Sequence, residues 1–246
     1  PLHDEVGRAV EHVATSSLLR GYHQPLTSML ARALETPFGG AFGDVAFADI
    51  DPADRLAEMD FEMNVALSQA NIQVSDIGRV LQSVLSPTDV LCDYAAALTD
   101  KSFDIPVAGL INGSLDALLR LPGSTPSQPL LAITDYKSNK MHRDDDKTPI
   151  AAYSPSHIQA KMEEAHYILQ ALIYGTSVFR MLRWRLPEAD HDSCIKGIAY
   201  GFLRGMVGPD TPVDENGHRY GVFTWQAPAG LWTALSDLFA GKKPVQ

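Results

Sequence analysis

Cysteine is nearly absent from this chain. Cys92 and Cys194 stand far apart, in no C-x-x-C pair and in no Cys/His cluster, which excludes a disulfide framework and a zinc or iron–sulfur site and suits a reducing compartment. Long apolar runs are missing too: none approaches the roughly 18–20 residues of a membrane span, and no charged-then-apolar leader opens the sequence. The expectation is a cytoplasmic protein with no membrane contact. Positive charge is scarce, with 20 Lys and Arg against 30 Asp and Glu, a net charge of −10. Phosphate neutralisation supplies most non-specific affinity for nucleic acid, so a free-standing nucleic-acid binder is disfavoured, and a chain of this charge that handles DNA needs help in holding it. An initiator Met is lacking as well, and the start at Pro1 suggests a piece of a longer polypeptide.

What is present argues for a folded α/β domain. Of 246 residues, 45% are hydrophobic and 20% charged, enough to build a sizeable core. Apolar spacing over residues 3–36 predicts two helices broken near Gly21 and ended by Pro37. Residues 55–67 alternate as a strand, with Leu56, Glu58, Asp60 and Glu62 on one face and Ala57, Met59, Phe61, Met63 and Val65 on the other. Residues 71–101 read as two more helices. Residues 107–121 and 130–137 read as a hairpin across the turn-rich stretch 122–129, and residues 156–186 as one long helix. An apolar strand over 195–206, a short one over 221–225 and a closing helix over 230–241 complete a mixed central sheet flanked by helices. The expected division is a helical segment, 1–48, followed by one domain, 49–246.

The strand 130–137 ends in D-Y-K. Positions i and i+2 share a face of a strand, so Asp135 and Lys137 project together while Tyr136 faces away. An ammonium beside a carboxylate favours its ionised form, which a hard divalent cation binds. Asp116 interrupts the apolar run Leu115, Ala117, Leu118, Leu119 on the preceding strand. Paired across the hairpin, Asp116 and Asp135 would make a carboxylate site for Mg2+ or Mn2+, with Lys137 steadying an attacking water or the charge developing at phosphorus. The plainer alternative is a strand that ends in charges where it meets solvent. Small residues at Gly109, Gly113 and Asn112 allow close approach of a ligand or another backbone. Glu58 and Glu62 offer a further carboxylate or simply a solvated face. Gln170 and Tyr174, four apart on a helix, share a face and are costly to bury without partners. Basic residues gather at Lys137, Lys140, Arg143 and Lys147, diluted by Asp144, Asp145 and Asp146, and again at Arg180, Arg183 and Arg185. Either group suits phosphate contacts, and the second equally suits the dipole at a helix C-terminus.

Five stretches carry a resemblance in order: G-x-x-x-G-x-x-D ending at Asp116, I-T-D-Y-K-S-N (133–139), A-H-Y-x-L-Q-x-x-x-Y (165–174), G-x-x-Y-x-F-L-R-G (197–205) and G-x-x-T-x-x-x-x-A-G-L (221–231). Together they resemble the RecB family nuclease domain of the PD-(D/E)-x-K superfamily, over roughly residues 50–241. The resemblance implies a restriction-endonuclease-like fold and a Mg2+-dependent deoxyribonuclease of the exodeoxyribonuclease V type, in which Mn2+ or Ca2+ can occupy the metal site. It further implies Asp116, Asp135 and the Tyr136 carbonyl as metal ligands and Lys137 as catalytic lysine. Gln170 and Tyr174 match the helical Q-x-x-x-Y motif, and Glu58 sits at an additional active-site acid. The implied setting is a bacterial, ATP-dependent helicase-nuclease with RecC and RecD subunits, acting on single-stranded and unwound double-stranded DNA in recombinational repair and docking RecA. A protein-interaction role, with RecA or the motor subunits as partner, and an AddAB-type nuclease stand as alternatives. The family's metal-binding histidine lies in a G-T-x-x-H context that this sequence lacks. His3 and His12 lie in that part of the order, and the expectation is that the piece starts downstream of that histidine, binding metal weakly and cleaving poorly by itself.

Overall fold

The computed structural model describes residues 2–13, 21–65, 72–142 and 147–242. Arg143, Asp144, Asp145 and Asp146, and the end of the strand expected to reach Leu67, lie outside the described residues. The described residues include eight α-helices and five strands. The strands form one sheet in the order β1-β2-β3-β4-β5, the order of the chain. β1 is Arg55–Val65, β2 Gly109–Arg120, β3 Leu131–Lys137, β4 Ile195–Phe202 and β5 Val222–Trp225. The mixed α/β class expected from the sequence is the class observed. No helix of the described residues is long and apolar enough to cross a membrane.

The chain divides into two compact units. The first comprises 1–55, 134–165 and 199–225, and the second 56–133, 166–198 and 226–246. In the first unit, the expected pair of helices is α1 (Leu2–Val13) and α2 (His23–Leu34), packed through Val6, Val10 and Ala31 with Leu26, Leu30 and Leu34 beside them. α2 is stopped by Thr36, fully buried, whose hydroxyl donates to the Arg32 carbonyl at 2.9 Å and accepts from Gly208 N at 2.9 Å. That one side chain satisfies an orphan carbonyl of the helix end and a loop amide together.

In the second unit, β1 alternates from Glu58 onward: Glu58, Asp60, Glu62 and Asn64 are exposed, and Met59, Phe61, Met63 and Val65 turn inward. Ala57, expected on the inner face, is exposed instead. The cause lies at Glu58, whose φ of 49° is left-handed and interrupts the two-residue period of the pleat. The helices expected over 71–101 are α3 (Val74–Val84) and α4 (Cys92–Leu98). They meet where Gly78 lies against Leu98, a Cβ at 78 coming within 2.8 Å of the Leu98 Cβ. The hairpin between β2 and β3 is closed by Leu121 N donating to Leu130 O at 2.8 Å.

The expected long helix is two. α5 (Pro155–Glu164) ends before His166, whose φ of 54° is left-handed, and α6 (Tyr167–Arg185) follows. A β-carbon in that region costs roughly 1–2 kcal/mol, and His166 is anchored there. Its Nδ1 shares a hydrogen bond with the Tyr94 hydroxyl at 3.0 Å, and its ring meets Phe103 edge-on at 5.5 Å. β4 ends at Phe202, short of the expected Met206, because residues 203–205 form a 3-10 turn.

After the four-residue helix α7 (His191–Cys194), α8 (Leu231–Phe239) closes the second unit. Asp192 accepts from Trp232 N at 3.2 Å and from the Thr233 hydroxyl at 2.6 Å, so a carboxylate from α7 caps α8 where its dipole favours negative charge. Trp232 is then pressed onto α6 at Gly175, where a Cβ would stand 2.2 Å from the indole ring. Ala is the better helix former by about 1 kcal/mol, yet there is no space for its methyl. Gly175→Ala is therefore expected to destabilise the chain by about 2 kcal/mol net, read as a lowered urea midpoint with an unchanged slope; a midpoint that rises would refute the packing argument.

Candidate functional site

The end of β3 belongs to the first unit. Leu131 through Asp135 are all buried, as befits a strand covered on both faces, and Asp135 is only 2% exposed. Its Oδ1 lies 2.5 Å from Lys137 Nζ. The expectation that the two charges share a side of the pleat is met, with Asp135 buried and Lys137 mostly so. Lys137 Nζ also stands 5.3 Å from the centre of the Tyr200 ring, a second favourable environment for a buried ammonium.

Tyr136 turns the opposite way, edge-on to Phe47 at 6.0 Å. Phe47 in turn carries the Arg55 guanidinium 4.5 Å above its ring, and Arg55 is tied through its Nε to the Ile50 carbonyl at 2.7 Å. Beyond the strand, Arg204 Nε donates to Ser138 O at 3.0 Å. The buried Tyr153 hydroxyl donates to Asn139 O at 3.0 Å and accepts from Met141 N at 3.1 Å. These partners clamp the backbone after Lys137. Sequence reasoning missed Tyr153, and took in Tyr200 only as a position of the 197–205 stretch. The signal that could have found their surroundings is glycine: a Cβ at Gly205 would come within 2.5 Å of Tyr153, at Gly221 within 2.5 Å of the Gly205 backbone, and at Gly201 within 3.1 Å of the Tyr136 ring.

In the second unit, Asp116 lies on the exposed face of β2 with Asn112 and Ser114, while Leu115 and Ala117 are buried on the other. The expectation that Asp116 is a charge placed where burial is called for is thus corrected, since the pleat's alternation turns it outward. Glu58 is exposed on β1. Gln170 and Tyr174 share a face of α6 as expected and satisfy each other, Nε2 donating to the phenolic oxygen at 2.9 Å. Phe61 meets Tyr174 edge-on at 5.7 Å and fills the space that a side chain at Gly113 would need, its ring 2.9 Å from a Cβ built there. Asn112, His166, Gln170 and Tyr174, with the apolar Ile111 and Ile173, line a pocket of about 310 Å³.

Among the basic residues, Lys137 is committed to Asp135, and Arg180 is tied to the Asn64 and Ser236 carbonyls, each at 2.8 Å. Burial, and then the charge of Arg183, lower the Arg180 pKa from its usual value. Among the described residues no three His, Cys, Asp or Glu side chains form a cluster able to hold a metal ion.

A five-stranded sheet flanked by helices, with a paired carboxylate and lysine at i and i+2 on the end of an inner strand, is consistent with the restriction-endonuclease-like class of α/β proteins. No family model matches the chain. Curated relatives do. It is 38% identical over 226 residues to RecBCD enzyme subunit RecB of Mycobacterium tuberculosis, covering 88% of the chain and 20% of that protein. It is 34% identical over 244 residues to the same subunit of Mycolicibacterium smegmatis, covering 94% of the chain and 22% of that protein. To the Escherichia coli subunit it is 26% identical over 216 residues, covering 88% and 16%. The chain fits a fragment of a RecB subunit and spans about a fifth of the length of the curated relatives it matches.

Breaking a buried ion pair from one side leaves a charge in low dielectric. Lys137→Met is accordingly expected to cost about 3 kcal/mol of stability, measured by urea unfolding. Asp135→Asn combined with Lys137→Met should recover most of that loss, and a double variant no more stable than the single would sink the account.

Proposed function

We propose that this chain is the nuclease domain of a RecBCD-type helicase-nuclease, hydrolysing unwound DNA strands with Mg2+ during recombinational repair of double-strand breaks. The observation that carries the proposal is the Asp135–Lys137 pair, held at the end of β3 in a chain that fits a fragment of a RecB subunit. An enzyme that needs an ionised carboxylate and an ammonium at a reacting phosphate must hold both against burial, and this strand end does so.

The donor chemistry fits a hard divalent ion. Asp116, Asp135 and the Tyr136 carbonyl offer oxygen ligands, and Mg2+ characteristically takes one or two carboxylates and keeps several waters, so a cluster of three acidic or imidazole side chains is not needed. When bound, the ion supplies Lewis acidity toward phosphoryl oxygen and a more acidic water. The chain's own residues do the rest. Lys137, held by Asp135 and lying against Tyr200, orients the attacking water and balances charge developing at phosphorus during in-line displacement. The Gln170–Tyr174 pair offers an amide and a phenol to position a substrate phosphate. Glu58 is assigned as a further acid at the site.

The acidic charge of −10 accords with a domain to which DNA is delivered. A helicase motor on the same polypeptide, with RecC and RecD, raises the local strand concentration, so intrinsic affinity is not required. RecA is the partner assigned to the product strand.

The test is strand degradation by the full subunit in its assembled complex. Activity should need Mg2+ or Mn2+ and vanish on chelation. Asp135→Ala should abolish it, and Lys137→Ala should lower it by roughly 10²- to 10³-fold while DNA unwinding persists. Nuclease activity undiminished in Asp135→Ala would remove the assignment.

A further inference from the structure

The three tryptophans of the chain differ sharply in exposure. Trp225 and Trp232 are 6% and 1% exposed, whereas Trp184 is 78% exposed. It stands on the last turn of α6. A large ring left in water at a helix end gains nothing for folding, so its placement calls for a partner. The basic residues around it sort into two kinds. Arg180 is structural, its donors used on Asn64 O, Ser236 Oγ and Ser236 O. Arg183 and Arg185 instead lie along aromatic faces, Arg183 5.9 Å from the Phe179 ring centre and Arg185 5.3 Å from that of Trp184. The helix dipole explains cations in a last turn but not an exposed indole between them.

Two grooves, of about 670 and 810 Å³, flank this point and share Asn64, Arg180 and Trp184. Their acids are Asp237, which pairs with Lys242 at 2.7 Å, and Asp60 and Glu62 on the side of β1. Arg185 beside the exposed ring and Arg183 lining the same groove as that ring, in a chain of net charge −10, form a local site for an anion that also carries a flat face.

We propose that the end of α6 is a contact for single-stranded DNA, in which a base stacks on Trp184 and the flanking phosphates are met by Arg183 and Arg185. A single strand exposes its base faces where a duplex hides them, and stacking accepts any base. Guanidiniums supply the phosphate term without sequence preference. The choice of DNA rests on the nuclease reading above; the contact itself does not.

Because the other two tryptophans are buried, emission quenching reports on Trp184. In EDTA, oligo(dT) is expected to quench the exposed component, with affinity falling as salt rises. By anisotropy of labelled oligo(dT), Trp184→Ala should weaken binding about ten-fold, and Trp184→Phe should retain most of it. Substituting Ala for both Arg183 and Arg185 should reduce the slope of log K against log salt by roughly 1.4, about 0.7 for each phosphate no longer neutralised. Emission quenched by iodide yet unchanged by oligo(dT) would overturn the proposal. So would shielding of Trp184 from iodide by the other subunits of the complex, with DNA having no effect, since the patch would then be a protein interface. Binding here needs neither metal nor Asp135, so the two readings fail separately. Quenching without metal-dependent cleavage refutes the nuclease, and cleavage without quenching refutes the strand contact.

Discussion

A carboxylate sealed inside a sheet needs a cation beside it, and at the end of β3 that cation is Lys137, two residues further along the same strand. Most of what surrounds the pair in the first unit serves to keep it there. Tyr200 offers its ring face to the ammonium. Tyr153 and Arg204 take the carbonyls of Asn139 and Ser138, so the strand cannot fray past the lysine. Tyr136, between the two charges, is pinned from the other side by Phe47 and, through it, Arg55. An ion pair with 3% and 14% side-chain exposure is poor evidence of stabilisation, because desolvation offsets most of the Coulomb gain. What the pair does supply is two opposite charges at fixed positions, which is what the proposed chemistry would use.

This view changes what the glycines in the five stretches mean. Gly205 and Gly221 bring two backbones together beside Tyr153, and Gly201 leaves room for the Tyr136 ring. Gly113 admits Phe61, which packs on Tyr174, and just outside the stretches Gly175 admits Trp232. Each omits a methyl that would displace a packed neighbour: a side chain at Gly201, Gly205, Gly113 and Gly175, and the Gly205 backbone at Gly221. Close packing alone accounts for these glycines.

Legibility in the sequence followed the physics of each feature. The two-residue period made the Asp135–Lys137 side of β3 readable, and the four-residue spacing made the Gln170–Tyr174 contact readable, because both depend only on local geometry. The helix break at His166 was not, since neither Gly nor Pro marks it. The left-handed turn there is held by Tyr94 and Phe103, residues remote in sequence. Ala57 was misplaced for a related reason: Glu58 takes a positive φ that its residue type gives no cause to expect. Asp116 was legible as a candidate but misread in placement, because the apolar run after it concealed the alternation that turns it outward. Tyr153 lies in no recognisable pattern and Tyr200 enters only within the 197–205 stretch, so their contacts with the strand end appear only once the chain is folded.

Charge is the remaining tension, and its distribution resolves it. A chain with ten more acids than bases repels a polyanion at long range, but repulsion is screened beyond about 10 Å at 0.1 M salt. Under the proposed function, what a delivered strand would meet at short range is local. Of the arginines in the last two turns of α6, one is tied into the fold and two lie along aromatic rings. Lys137 is withheld from solvent for one position only. These four cations are individually placed. That arrangement suits a domain whose ligand arrives by tethering, because a diffuse basic surface would hold strands wherever they landed, whereas isolated contacts hold them only in register.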